Sequence, residues 1–201
     1  IAERQHQQIR SVLNKEPTPQ VFRAGDPVDR NQEAFIPRES VLGDLDRQLT
    51  LSTGCPGLIL YGRRRMGKST LLRNLEGFLP TSVRTAVVSM QNPDAFSSQA
   101  DLLNAIAQRT AEAVQPAQKA TAPALATLKE FFQWLADCNA RLAEMDHRLL
   151  LAIDEYENLD RKLGEGIFSE DLLATIRESI QTHRQVTWVF AGSHALAKLT
   201  H

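Results

Sequence analysis

An α/β fold, with helices on both faces of an open parallel sheet, is what this sequence predicts, and three observations lead to it. From Leu58 onward, strand-like and helix-like segments alternate, the order that builds parallel crossovers. The run Leu149-Leu150-Leu151-Ala152-Ile153 is apolar at every position, as a central strand covered on both sides requires. Between the first strand-like run and the next helix lies Gly62-Arg63-Arg64-Arg65-Met66-Gly67-Lys68-Ser69. This stretch fits the phosphate-binding pattern G-x-x-x-x-G-K-[ST].

Residues 1–16 are polar and rich in glutamine, with Ile9, Val12 and Leu13 as a narrow apolar stripe for a short helix. Pro17, Pro19, Gly25, Pro27 and Pro37 make residues 17–37 an irregular, extended connection. Glu39 to Leu51 reads as an amphipathic helix, with Val41, Leu42, Leu45 and Leu49 on one face. The strand Leu58 to Tyr61 leads through the loop into a helix that runs to about Leu79 and stops at Pro80. Val83 to Met90 is a second strand, and Ser98 to Val114 a helix with Leu102, Leu103, Ile106 and Ala107 inward. Beyond Pro116 and Pro123, Leu125 to Met145 keeps helical spacing through Leu128, Phe131, Phe132, Leu135 and Leu142. After the apolar strand come a helix, Glu170 to Thr182, and a last strand, Val186 to Ala191. The expected division is a lead-in over residues 1–37 and a core over 38–201.

The 201 residues are 42% hydrophobic and 23% charged, ordinary values for a globular chain with one sizeable core. A net charge of -1 gives no bulk electrostatic case for nucleic acid or an anionic membrane. Cys55 and Cys138 are too few and too far apart for a disulfide framework or a metal knuckle, which predicts reduced thiols and a cytoplasmic setting. No apolar run approaches the ~18 residues of a membrane helix, and no signal peptide is visible. The chain starts at Ile1 and stops at His201 just after a strand-like run, so we expect a piece of something longer.

A loop between strand and helix aims successive backbone N–H groups at phosphates. Gly62 and Gly67 allow the close approach, Lys68 would reach the β- and γ-phosphates, and Ser69 would place its hydroxyl on Mg²⁺. Thr70 opens the helix beside them. Of Arg63, Arg64 and Arg65, one is expected to touch the nucleotide or a neighbouring subunit. Asp154 and Glu155 close the apolar strand and would face the crevice where ligands of open α/β sheets sit. Asp154 suits Mg²⁺ through its water shell, and Glu155 suits a general base that polarises the attacking water. Glu157 and Asp160 read as solvated or capping groups. Ser193, at the end of the last strand, either caps a turn or emerges beside the γ-phosphate. Arg177 and Arg184 could act in trans as arginine fingers, although a solvated helix face explains both.

Together, Tyr61-Gly62-Arg63-Arg64-Arg65-Met66-Gly67-Lys68-Ser69, Leu151-Ala152-Ile153-Asp154-Glu155-Tyr156-Glu157 and Phe190-Ala191-Gly192-Ser193-His194 resemble the STAND-class P-loop ATPases, relatives of AAA+ and origin-recognition ATPases. Ala24-Gly25-Asp26-Pro27-Val28 and Phe35-Ile36-Pro37-Arg38-Glu39 resemble the lead-in of their prokaryotic members, although Asp26 and Pro37 depart from the usual asparagine and glycine. That resemblance implies Pro27, Val28 and Arg38 as nucleotide-pocket residues. It implies a P-loop NTPase sheet ordered 5-1-4-3-2, with the fifth strand, a helical lid and a winged-helix region beyond His201. It further implies a Mg²⁺-dependent ATP-hydrolysing switch in a signalling or defence protein, with weak activity in this piece alone.

Its expected partners are ATP and ADP, a second copy or further domains of a longer chain, and no membrane. No guanine-reading N-K-x-D motif occurs, which favours adenine. Two other functions stay open: a nucleotide-binding scaffold module that does not hydrolyse, and a DNA-handling ATPase of AAA+ type.

Overall fold

Four strands form one parallel sheet in the computed structural model, which describes residues 28–31, 35–51, 57–115 and 121–193. In chain order the elements are α1 (Glu39–Leu51), β1 (Leu58–Tyr61), α2 (Lys68–Asn74), β2 (Val83–Ser89), α3 (Gln99–Val114) and α4 (Leu128–Glu144). β3 (Arg148–Asp154), α5 (Glu157–Gly164), α6 (Asp171–Thr182) and β4 (Val186–Gly192) complete the series. The spatial order is β1-β4-β3-β2, so the last strand lies between the two that carry the motifs. A fifth strand is not present among the described residues. The short helix expected within residues 1–16 and most of the connection after it lie outside them.

The apolar run of β3 is buried along its length because it feeds two cores at once. Leu149, Leu151 and Ile153 meet Leu102, Leu103 and Ile106 of α3, Phe131 and Leu135 of α4 and Leu172 and Ile176 of α6. Leu150 and Ala152 point the other way, onto Leu42, Leu45 and Leu49 of α1 and Leu71 and Leu72 of α2. Strand periodicity of two makes this division, and each fully buried leucine contributes about 1.5–3 kcal/mol. Trp188 on β4 is fully buried, and its indole N–H donates to Ser179 Oγ at 3.0 Å. These two cores hold the strand ends at fixed positions.

Two helix starts are set by reciprocal caps. Ser98 Oγ accepts from Asp101 N while Asp101 accepts from Ser98 N, and Thr127 and Glu130 do the same for α4. The second cap moves the start of α4 from the expected Leu125 to Leu128. Leu125 remains buried in the preceding loop, its N–H donating to Asn104 Oδ1 at 2.8 Å.

Two other expectations need correction. The helix after the loop ends at Asn74, not near Leu79, and Leu75–Gly77 tightens into a 3₁₀ turn. Asn74 is buried, and its side chain bonds Thr70 O within the helix as well as Val28 O and Arg30 N outside it, so its turn also serves tertiary contacts. The helix α5 was not anticipated, because Leu159 and Leu163 are its only apolar members, too short a stripe to signal a period.

Candidate functional site

Parallel strands in register bring the ends of β1, β4 and β3 together. Tyr61 pairs with Gly192, and Ala191 pairs with Asp154. Neighbouring strands lie about 4.8 Å apart, so the loop after β1 and the turn after β3 face each other across the end of β4. The separation is roughly 10 Å, two strand spacings.

The loop curls tightly. Gly62 N donates to Gly192 O at 3.2 Å, which fastens its start to β4. Arg65 and Gly67 take left-handed conformations, φ 64° and 78°. Glycine adopts this freely, whereas at Arg65 it stores strain of order 1–3 kcal/mol. Lys68 Nζ donates to Gly62 O at 2.7 Å and Arg63 O at 3.0 Å, so its ammonium folds back over the loop's own carbonyls. Arg63, Arg64, Arg65 and Met66 are exposed, and Ser69 and Thr70 are half-buried.

Two lead-in residues reach this loop. Arg38 donates to Met66 O, and Val28 is buried with its N–H on Thr70 Oγ1 at 3.3 Å. Asn74 Nδ2 donates to Val28 O at 2.8 Å, and its Oδ1 accepts from Arg30 N at 2.7 Å. Val28 and Arg38 are therefore packed against the loop and α2, while Thr70 gives its hydroxyl to the lead-in. Pro27 and His194 lie outside the described residues. Asn74 was missed in the sequence, where a polar residue between Leu72 and Leu75 was its only signal.

The turn after β3 carries the acids. Asp154 is 4% exposed, and its Oδ1 accepts from Glu155 N at 3.0 Å. Glu155 sits at φ 55°, a second strained residue facing the loop. Burial chiefly, then the like charges of Asp154 and Glu157, push the Glu155 carboxyl above its ordinary range; Arg64 and Lys68 oppose the shift. The cations of the loop thus act on the acid of the turn. Asn158 donates to Met90 O at 2.8 Å and lies 3.5 Å from Glu155 Oε2, propping the turn from behind.

Glu157, expected to be a solvated or capping group, is half-buried and pairs with Ser193. Ser193 Oγ donates to Glu157 Oε1 at 2.7 Å, and Ser193 N approaches both carboxylate oxygens at 3.3 and 3.4 Å. No local pattern signals this contact, since the two residues are far apart in the chain and meet only through the sheet. Asp160 is exposed, as expected. Arg177 and Arg184 are exposed, and Arg184 precedes β4 at the sheet's opposite end. Cys138 is a buried free thiol, pushed up to about 11 by burial, and is unsuited to nucleophilic work.

None of the ion pairs among the described residues involves Lys68, Asp154 or Glu155. No cluster of three or more His, Cys, Asp or Glu residues among them could hold a metal unaided. A buried carboxylate without an ion pair, opposite a lysine and a curled loop, fits Mg²⁺. That ion takes one or two carboxylates and completes its shell with water and phosphate oxygens. Ser69 and Asp154 would be the residues to hold it.

No curated protein matches the chain in sequence. Among solved structures it is similar to the Aeropyrum pernix ORC2 protein in ADPNP–ADP complexes, at 20% identity and TM-score 0.57, over 89% of this chain and 46% of that one. It is also similar to the ORC1 protein of the same organism in complex with DNA, at 21% identity and TM-score 0.51, over 83% of this chain and 41% of that one. The ADP form of ORC2 gives 20% identity and TM-score 0.52, over 83% and 45%. The chain thus spans less than half the length of these proteins, and the likeness establishes a P-loop AAA+ fold. No helix among the described residues is long and apolar enough to cross a membrane. The family model for the AAA domain matches residues 51–200, well over half the sequence and all four strands, and the chain belongs to that family.

Proposed function

We propose that this chain is the ATP-binding and ATP-hydrolysing core of a molecular switch, of the STAND class within the wider AAA+ group, in a larger signalling or defence protein. One observation carries the reading: the sheet register sets the loop that bears Lys68, after β1, and the turn that bears the buried Asp154 and Glu155, after β3, on either side of the end of β4. Positive and negative groups that face each other without ion pairing suit a ligand that takes both, a triphosphate with its cation.

In this reading the loop N–H groups and Lys68 hold the β- and γ-phosphates, with Lys68 turning from Gly62 O and Arg63 O to the phosphate oxygens. Ser69 and Asp154 hold Mg²⁺, which when bound neutralises charge on those oxygens. Glu155, ionised, accepts a proton from the attacking water as the O–P bond to the leaving diphosphate breaks. The raised pKa brings its basicity nearer to neutral pH. Ser193 hydrogen-bonds the γ-phosphate, and Val28, Pro27 and Arg38 flank the nucleotide from the lead-in. Any gain from assembly requires a second copy or further domains.

A second reading has support in the likeness to ORC1 in complex with DNA: a DNA-handling AAA+ ATPase. One experiment separates the possibilities. ATP affinity and phosphate release are measured on the full-length protein with Mg²⁺, with and without duplex DNA, across a salt series. Binding with turnover indifferent to DNA supports the switch, and steeply salt-dependent DNA binding supports the second reading. Binding without turnover leaves a scaffold module, and no binding at all ends the proposal.

A further inference from the structure

The contact between Ser193 and Glu157 has no place in the chemistry above, yet the structure builds it with care. Glu157 opens α5 directly after the acid turn, and Ser193 ends β4. Between them Gly192 leaves room for the approach: a Cβ there would lie 2.3 Å from Glu157 Oε2 and 2.6 Å from Tyr156 Cε1. Tyr156 N donates to Ala191 O at 3.1 Å, and the Tyr156 ring meets Phe190 edge-on at 6.4 Å. Gly192 O at the same point accepts from Gly62 N of the phosphate loop. The end of β4 is therefore fastened on one side to the loop and on the other to α5.

A serine hydroxyl has one proton to donate. In this structure it goes to Glu157, an ionisable acceptor at 2.7 Å. A γ-phosphate oxygen beside β4 would be a second anionic acceptor for that same proton. We infer that Glu157 is a specificity-determining residue: it competes with the γ-phosphate for the Ser193 hydroxyl and so sets the preference between ATP and ADP. ADP has no γ-phosphate, so it leaves the Ser193–Glu157 pair intact. ATP takes the hydroxyl and leaves Glu157 with the longer contacts from Ser193 N alone, which passes the difference to the first turn of α5.

This rests on the nucleotide site proposed above, and the test keeps the two apart. On the full-length protein, dissociation constants for ATP and ADP with Mg²⁺ are measured by calorimetry for wild type, E157A, E157Q, S193A and the E157A/S193A pair. Loss of the competitor in E157A should tighten ATP relative to ADP by about tenfold, the scale of one charge-assisted hydrogen bond. E157Q keeps an acceptor oxygen without the charge and should fall between. In the S193A background, E157A should change the ratio by less than about twofold, there being no hydroxyl left to contest.

An ATP/ADP ratio unchanged or lowered by E157A overturns the inference, and so does a full tenfold gain that persists in S193A, which would mark simple charge removal. Wild-type protein that binds neither nucleotide overturns the site itself. Should E157A fail to fold, E157Q against S193A reads the same competition, and a ratio equal to wild type in E157Q counts against it.

Discussion

The glycine-lysine loop after β1 and the acid turn after β3 face each other across the end of β4 but are built in opposite ways. The loop is exposed and held by backbone: Lys68 rests on Gly62 O and Arg63 O, Arg38 on Met66 O, and its arginines face outward. The turn is held by side chains on a buried strand: Asp154 on Glu155 N, Asn158 on Met90 O, Glu157 on Ser193. In the turn, like charges are crowded together at the expense of Glu155, whose ionised form is disfavoured. The acids are thus fixed before a ligand arrives, while the loop's cations are free to reorganise around one. Preorganised groups serve the chemical step and adaptable ones serve capture.

The sharpest way to test that division is to remove one function from each side. Glu155→Gln keeps size and hydrogen bonding but cannot take a proton, so phosphate release should fall by about 10²–10⁴ with ATP affinity nearly kept. Lys68→Ala should act on the other quantity, weakening ATP binding by about a hundredfold, the scale of one or two hydrogen bonds to a charged group. Stopped-flow phosphate release and calorimetric titration read the two effects. If Glu155→Gln weakened binding as much as Lys68→Ala does, the two regions would be one functional unit and the contrast would fail.

The parts of this arrangement legible in the sequence are those written in contiguous residues. The glycine-lysine loop, the wholly apolar strand and the two acids after it each carry their chemistry in fewer than ten consecutive positions, and the structure sets the loop and the acids at the same end of the sheet. The order 1-4-3-2 came from resemblance, since no local pattern dictates which parallel strands pair. What escaped depends on long-range partners. Asn74 works by holding Val28 and Arg30, and Glu157 works by meeting Ser193. The helix α5 is too short to declare a period and is fixed by burying Leu159 against the core. The early end of α2 follows from Asn74's contacts, which outweighed an apolar pattern running on through Leu79.

The crowding of acids should also appear in stability. The Glu155 pKa lies above its ordinary 4.5 in the folded chain, burial being the largest cause. The folded state therefore binds more protons than the unfolded state in the window above 4.5, and stability declines as pH rises through that window. Glu155→Gln removes the group and with it this part of the decline. Melting temperatures from pH 4.5 to 7 should accordingly diverge, with the variant gaining on wild type as pH rises. Parallel curves would mean that Glu155 ionises as easily folded as unfolded, and that the turn carries no such cost.

The smallest effect is expected where the loop touches the lead-in. Arg38 donates to Met66 O, and a Cβ on Gly67 would lie 3.5 Å from its guanidinium, so Arg38 braces the strained half of the loop from outside. Both partners are exposed, and water and entropy discount such contacts to about 0.2–1 kcal/mol. Arg38→Ala should therefore weaken ATP binding by only about threefold, a loss that Arg38→Lys would partly restore. Were Arg38 instead a direct phosphate ligand, the loss would approach that of Lys68→Ala and would shrink as salt is raised. Titrations at two ionic strengths separate these outcomes. A large, salt-sensitive loss would move Arg38 from bracing the loop to capturing the ligand, and would extend the adaptable side of the site into the lead-in.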